Sequence, residues 1–135
     1  MSDVEDDASG GLADEAYLMP AYVKLLVSDA LRSRAFYVAL GFEVRHADQV
    51  FTHLRWARGA DLFLVAPPPG VAFAASRGAG VLVCFSVVFD DLEAIAVRAR
   101  AAGAKVEGPS PQPWHTRELV VTDPDGFRLA FVQPA

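Results

Sequence analysis

The sequence predicts an α+β domain made of two tandem copies of one βαβββ unit, and three observations predict it. Asp29 to Gly41 and Asp91 to Gly103 are helix-like stretches of equal length, each opened by an aspartate and closed by a glycine. Val44 and Val106 follow those glycines at the same offset. After an insertion in the second copy, Leu62-Phe63-Leu64-Val65 finds its counterpart in Leu129-Ala130-Phe131-Val132. Near the C-terminus, Asp123-Pro124-Asp125-Gly126 joins two runs rich in Val and Leu. Pro presets φ in a tight turn, Asp bonds its own backbone and Gly tolerates the exit, so this is a β-hairpin; the two aspartates are read as turn formers and not as a cation site.

Each element follows in order. Residues 21–27 are apolar with one lysine and form the first strand, ending at Ser28-Asp29, a helix N-cap signal. Leu31, Ala35, Phe36 and Leu40 recur at helical spacing, and Gly41 closes the helix. Residues 42–47, 49–56 and 61–66 make three more strands, separated by Ala47-Asp48 and Arg58-Gly59-Ala60. Pro67-Pro68-Pro69-Gly70 then stops any strand, and a Gly/Ala connector follows with Phe73 as its only large side chain. Gly78 and Gly80 follow no strand and open no helix, so they are not a phosphate loop. The second copy begins with a strand over residues 81–89. Asp90 with Glu93 resembles a capping box, Leu92, Ile95, Ala96 and Ala99 form the apolar stripe, and Gly103 ends the helix. The hairpin strands are placed at residues 117–122 and 127–132. The resulting organisation is a disordered acidic tail over residues 1–19 and a single domain over 20–135, with modules at 20–67 and 80–134 and a connector at 68–79.

Composition narrows the function classes. A chain of 135 residues, 53% of them hydrophobic, is enough for one buried core. The net charge of −5 comes from the tail, where Asp3, Glu5, Asp6, Asp7, Asp14 and Glu15 stand without a basic residue. The remaining body carries 12 basic against 11 acidic side chains, which gives no basic stripe for nucleic acid. No apolar run approaches the ~20 residues of a membrane span, and no signal peptide opens the chain. A single cysteine, Cys84, excludes an intrachain disulfide and fits a reducing compartment, so a cytoplasmic location is expected.

Two motifs carry a resemblance. Pro113-Trp114, Arg117-Glu118 and the DPDG turn with Leu129 and Phe131 resemble the C-terminal hairpin of the vicinal oxygen chelate superfamily, which contains glyoxalase I, bleomycin-resistance proteins, fosfomycin-resistance enzymes and extradiol dioxygenases. Val27-Ser28-Asp29, Phe36-Tyr37 and Leu40-Gly41-Phe42-Glu43-Val44 are similar to its opening motif. The resemblance spans residues 20–134 and implies curved mixed sheets around a concave crevice, with helices on the outer face. Period-two alternation then assigns faces. Val23, Leu25, Val27, Leu64, Val83, Phe85, Val87, Phe89, Leu129 and Phe131 belong under the helices. Tyr22, Lys24, Leu26, Phe63, Val65, Cys84, Ser86, Ala130 and Val132 line the crevice.

Catalytic relatives are implied to hold a divalent cation on that face, with His, Glu or Gln from the first and last strands of each module. Here the four matched positions are Tyr22, Phe63, Cys84 and Ala130, a donor set that leaves a cation underliganded, so neither metal nor cofactor is expected. His46 near a turn, His53 on a middle strand and His115 in a loop are read as surface or loop imidazoles. The expected ligand-binding residues are Tyr22, Lys24, Phe63, Cys84, Trp114, His115, Arg117 and Ala130, forming an apolar wall with a few polar groups. Lys24 is expected to reach solvent or meet Glu118, Cys84 to be a small buried hydrophobe, and Arg117 and Glu118 to form an ion pair. The resemblance to the bleomycin-resistance branch implies a small-molecule binder, sequestering an antibiotic or other aromatic ligand in the crevice of a homodimer. The alternative is an enzyme, either with displaced metal ligands or metal-free with Lys24, Glu118 or His115 carrying a proton.

Overall fold

The computed structural model describes residue 19, residues 21–73 and residues 77–135. The reading of residues 1–18 as a disordered acidic tail lies outside these described residues. Among the described residues, ten elements run in the order β1 (Val23–Leu26), α1 (Ala30–Leu40), β2 (Glu43–Ala47), β3 (Phe51–Ala57), β4 (Ala60–Val65), β5 (Leu82–Ser86), α2 (Leu92–Ala101), β6 (Lys105–Pro111), β7 (Thr116–Thr122) and β8 (Arg128–Pro134). They form two four-stranded mixed sheets of identical topology, β1-β4-β3-β2 and β5-β8-β7-β6, with only the β1/β4 and β5/β8 pairs parallel. The duplicated βαβββ unit is therefore present as the sequence implied.

Capping sets both helices. Asp29 accepts from the Arg32 N–H, and Gly41 at φ 125° donates back to the Tyr37 and Val38 carbonyls. In the second module the cap is Asp91, not Asp90: the Asp91 carboxylate takes the N–H groups of Glu93 and Ala94. The reason is the chain between β5 and α2. That strand ends at Ser86 rather than residue 89, and a turn from Val87 to Asp90 follows. Phe89, expected under the helices, is instead 100% exposed.

The two modules share one core. Leu25, Val27, Phe36, Leu40, Leu54 and Leu64 of the first pack in the same buried cluster as Phe85, Ile95, Leu119, Leu129 and Phe131 of the second. Phe42 sits edge-on to Phe85 at 5.4 Å, and Trp56 lies 5.0 Å from Phe131, so aromatic rings cross the module boundary. Arg98 on α2 donates to the Leu40 carbonyl at the end of α1 at 3.0 Å.

The DPDG turn forms a second joint. Asp123 closes its own turn, its Oδ1 accepting from the N–H groups of Asp125 and Phe127, while Oδ2 takes the Tyr37 hydroxyl at 2.6 Å. Asp125 reaches further, accepting from the Ser28 N–H and hydroxyl, the Ser33 hydroxyl and Arg77 Nη2. Arg77 also donates to the Leu26 carbonyl and lies over the Phe73 and Phe127 rings. The connector thus holds a second large side chain besides Phe73, one that pins it to the turn. Gly78, at φ 83°, lets the connector touch Phe127, where a Cβ would come within 3.0 Å of the ring.

Burial raises the Asp123 carboxyl above its ordinary value, Asp125 adding to the rise while the bonds from Tyr37, Phe127 and Asp125 oppose it. Because the folded value is the higher one, the resulting contribution to stability is complete below the ordinary carboxylate pKa and is lost as pH rises through the folded value. Asp123→Asn, uncharged and of the same shape, is expected to flatten stability against pH in that window. Urea midpoints across the mildly acidic range test it, and an unchanged slope would contradict the burial argument.

Candidate functional site

Alternation along the strands leaves one face of each sheet turned away from the helices. On the second sheet Leu119 and Val121 enter the core, so Glu118 and Val120 point outward alongside Cys84, Ser86 and Val132. On the first sheet Leu25, Leu54 and Leu64 are in the core, and Lys24, His53 and Phe63 point outward.

The outward face of the first sheet is aromatic. Phe63 lies at its floor, stacked on Phe51 at 5.0 Å, with Tyr22 edge-on at 4.9 Å and the His53 ring at 4.5 Å. Tyr22 is 50% exposed and forms the open rim of this cluster. A cleft of about 440 Å³ brings Tyr22 and Asp61 of the first module against Cys84 and Ser86 of the second. A larger groove of about 590 Å³ lies on the helix side, between α1, the α2–β6 turn and Pro124, and holds none of the expected site residues.

On the second sheet, Pro113 sets the turn between β6 and β7, which closes with a bond from the His115 N–H to the Gln112 carbonyl. His115 sits at φ 67°, exposed, its carbonyl bonded to the Ala135 N–H. The turn holds Trp114 with 62% of its surface exposed, its Nε1 donating to Glu118 Oε2 at 2.9 Å. Thr116 donates to the same oxygen at 2.8 Å. Partial desolvation, and then the Glu118 charge, raise the Cys84 thiol above its ordinary value, which keeps it protonated and poorly nucleophilic.

Several expectations change. Arg117 leaves the outward face: it points toward α2 and pairs with Glu93 at 2.6 Å, because neighbouring strand residues face opposite ways. For the same reason the Arg117–Glu118 ion pair does not form. Lys24 does not meet Glu118, whose carboxylate is engaged by Trp114 and Thr116, and it remains exposed. Cys84 is exposed rather than buried. Ala130 is 0% exposed and offers no surface within this chain.

The match of positions also shifts. Cys84 pairs with Ala130, but the residue opposite Phe63 is Lys24, with Tyr22 just ahead of the strand. The β5–α2 connection is two residues longer than β1–α1, so matching backward from the helices slips the register. Lys24, Phe63, Cys84 and Ala130 fit a divalent cation no better: one cation, one ring, one protonated thiol and one buried methyl. Among the described residues no three His, Cys, Asp or Glu side chains converge.

Sequence reasoning missed an ion cluster on this face. Asp61, its side chain 2% exposed, accepts from His53 Nε2 at 2.7 Å and from Arg55 Nε at 2.8 Å. His53 is thus a held, half-buried imidazole and not a surface one. The signal was the hairpin itself: folding the chain about Arg58-Gly59 sets Arg55 opposite Asp61, with His53 on the diagonal.

Residues 20–131 match the Glyoxalase/Bleomycin resistance protein/Dioxygenase superfamily. The chain belongs to this superfamily. Among solved structures, a bleomycin-binding protein complexed with bleomycin is 27% identical with a TM-score of 0.62, over 85% of this chain and 98% of that one. A glyoxalase/bleomycin resistance protein from Streptomyces sp. CB03234 is 28% identical with a TM-score of 0.60, over 82% and 96%. The fosfomycin resistance protein FosX from Listeria monocytogenes, complexed with Mn(II) and sulfate, shares the fold at 14% identity and a TM-score of 0.64, over 85% and 89%. No curated protein matches the chain. Among the described residues no helix of this superfamily member is long and apolar enough to cross a membrane.

Proposed function

We propose that this protein binds a planar small molecule without a metal, on the outward faces of its sheets, in the manner of a drug-sequestering resistance protein of the cytoplasm. The observation that carries the reading is the aromatic cluster on the first sheet, in which Phe63 stands at a position where a metal-dependent relative would need an oxygen or imidazole donor, with Phe51 stacked on it and half-exposed Tyr22 as the rim. Apolar walls with few polar groups suit a flat ligand, and stacking adds about 0.5–1.5 kcal/mol per ring contact. The likeness to a bleomycin-binding protein over 98% of its length supports the same reading. Both outward faces carry exposed apolar side chains, among them Leu26 and Leu82, and a second copy of the chain is the expected cover, making each crevice from two protomers.

The test is a tryptophan-fluorescence titration with bleomycin, mitomycin and aromatic acids, alongside calorimetry. Trp56 packs in the core against Phe42 and Phe131, so exposed Trp114 is the reporter. Saturable quenching is expected in the native protein and its loss in Trp114→Phe. Tyr22→Ala, which removes the exposed ring of the cluster, is expected to weaken binding about 2- to 10-fold. An unchanged response in Trp114→Phe removes that residue from the site, and no saturable heat with any of these compounds rejects the binding function.

A further inference from the structure

We propose that the turn between β5 and α2 is a self-docking surface, through which Phe89 of one protomer seats in the groove beside Phe89 of a second copy. It is a contact between the two protomers of the binding reading above, and it rests on that reading's second copy. The turn is two residues longer than its counterpart between β1 and α1, and it carries Val88, 56% exposed, and Phe89, 100% exposed. Single exposed apolar side chains are ordinary, but these two stand together on backbone that is held from within. Gln133 Nε2 donates to the Val87 carbonyl at 3.1 Å and to the Asp90 carbonyl at 3.0 Å, and the Asp90 N–H closes the turn on the Val87 carbonyl. Phe89 is therefore presented by a pinned turn, which lowers the ordering cost of association.

The turn borders a groove of about 420 Å³ that crosses the module boundary, lined by Trp56 of the first module and by Val88, Phe89, Asp90 and Arg98 of the second. Pockets for small molecules span ~300–1,000 Å³, so this one has room for a benzyl side chain. One patch thus holds a knob and a hole. It also holds an acid and a base that do not meet within the chain: among the described residues neither Asp90 nor Arg98 has an ion-pair partner, and Arg98 Nε donates to the Leu40 carbonyl. A patch that carries both members of each complementary pair matches a copy of itself turned about a two-fold axis. In that pairing Asp90 of each protomer faces Arg98 of the other. The groove meets the outward face of the second sheet at Ser86, so it adjoins the surface that the second copy is expected to cover.

Sedimentation of the full chain over a range of concentrations is the test. The native protein is expected to form a dimer, and Phe89→Ser to weaken it about 10-fold or more, the scale of a central interface anchor. Phe89 is fully exposed, so the variant should keep the native urea midpoint at high dilution, where association does not contribute. Asp90→Lys and Arg98→Glu should each weaken self-association, yet a mixture of the two should form a heterodimer, because every changed charge then meets an opposite one. Arg98→Glu also gives up the bond to Leu40, so far-UV dichroism checks its fold first, and Phe89→Ser decides alone if that fold is lost. A native dimer that Phe89→Ser leaves unchanged, or folded charge variants that fail to associate on mixing, overturns this surface while the second copy stands. A native chain that stays monomeric at every concentration overturns both. Binding of that monomer to mixed phosphatidylcholine and phosphatidylglycerol vesicles, lost in Phe89→Ser, would assign the turn to a membrane instead.

Discussion

Phe131→Ala is expected to lower stability by about 3–5 kcal/mol, among the largest effects of any single truncation in the chain. Phe131 is fully buried, stacked on Phe85 at 5.7 Å, and in contact with Trp56 and Phe42 across the module boundary. The cavity left behind would be lined by side chains of both modules, each already fixed by other packing, so collapse around it is limited. If the modules were independent units, unfolding would split into two transitions and the first module would keep its midpoint. A shared core predicts one transition, shifted as a whole. Chemical denaturation followed by both far-UV dichroism and Trp56 fluorescence decides between them, and non-coincident curves would refute the shared core.

The repeat was readable because its signals are local. Asp29, Gly41 and Gly103 act within one turn of a helix, and DPDG acts within its own hairpin. What the sequence concealed depends on distances between elements. Two extra residues before α2 throw Val88 and Phe89 outward, so counting back from the helices matches Cys84 to Tyr22, whereas strand pairing matches it to Lys24. Arg117 takes its direction from β7, where buried Leu119 and Val121 share its face and turn it toward α2. The Asp61 cluster was hidden because its three members become neighbours only after the β3–β4 hairpin closes. At the site, the aromatic character of Tyr22 and Phe63 was legible and the polar chemistry beside it was not.

Asp125→Ala is expected to cost about 3–5 kcal/mol, the scale for breaking a buried ion pair by removing one partner. Both partners are sheltered, with 2% of the Asp125 side chain and 17% of the Arg77 side chain exposed, and Arg77 Nε already lacks a partner. Truncation would strand the guanidinium between Phe73 and Phe127 and leave the Ser28 N–H and the Ser28 and Ser33 hydroxyls without their acceptor. Asp125→Asn keeps an acceptor for Ser28 while removing the charge, so its loss should be smaller, about 1–3 kcal/mol. Arg77→Met, which removes the cation but retains apolar packing on the two rings, should couple to Asp125→Asn: the double variant is expected to lose less than the two single losses combined. A cycle that sums without coupling would mean that the pair contributes through packing alone. The two motifs that carry the resemblance in the sequence meet at this joint, Ser28 and Tyr37 from one and Asp123 and Asp125 from the other. In this chain the two motifs therefore fasten the two βαβββ modules together.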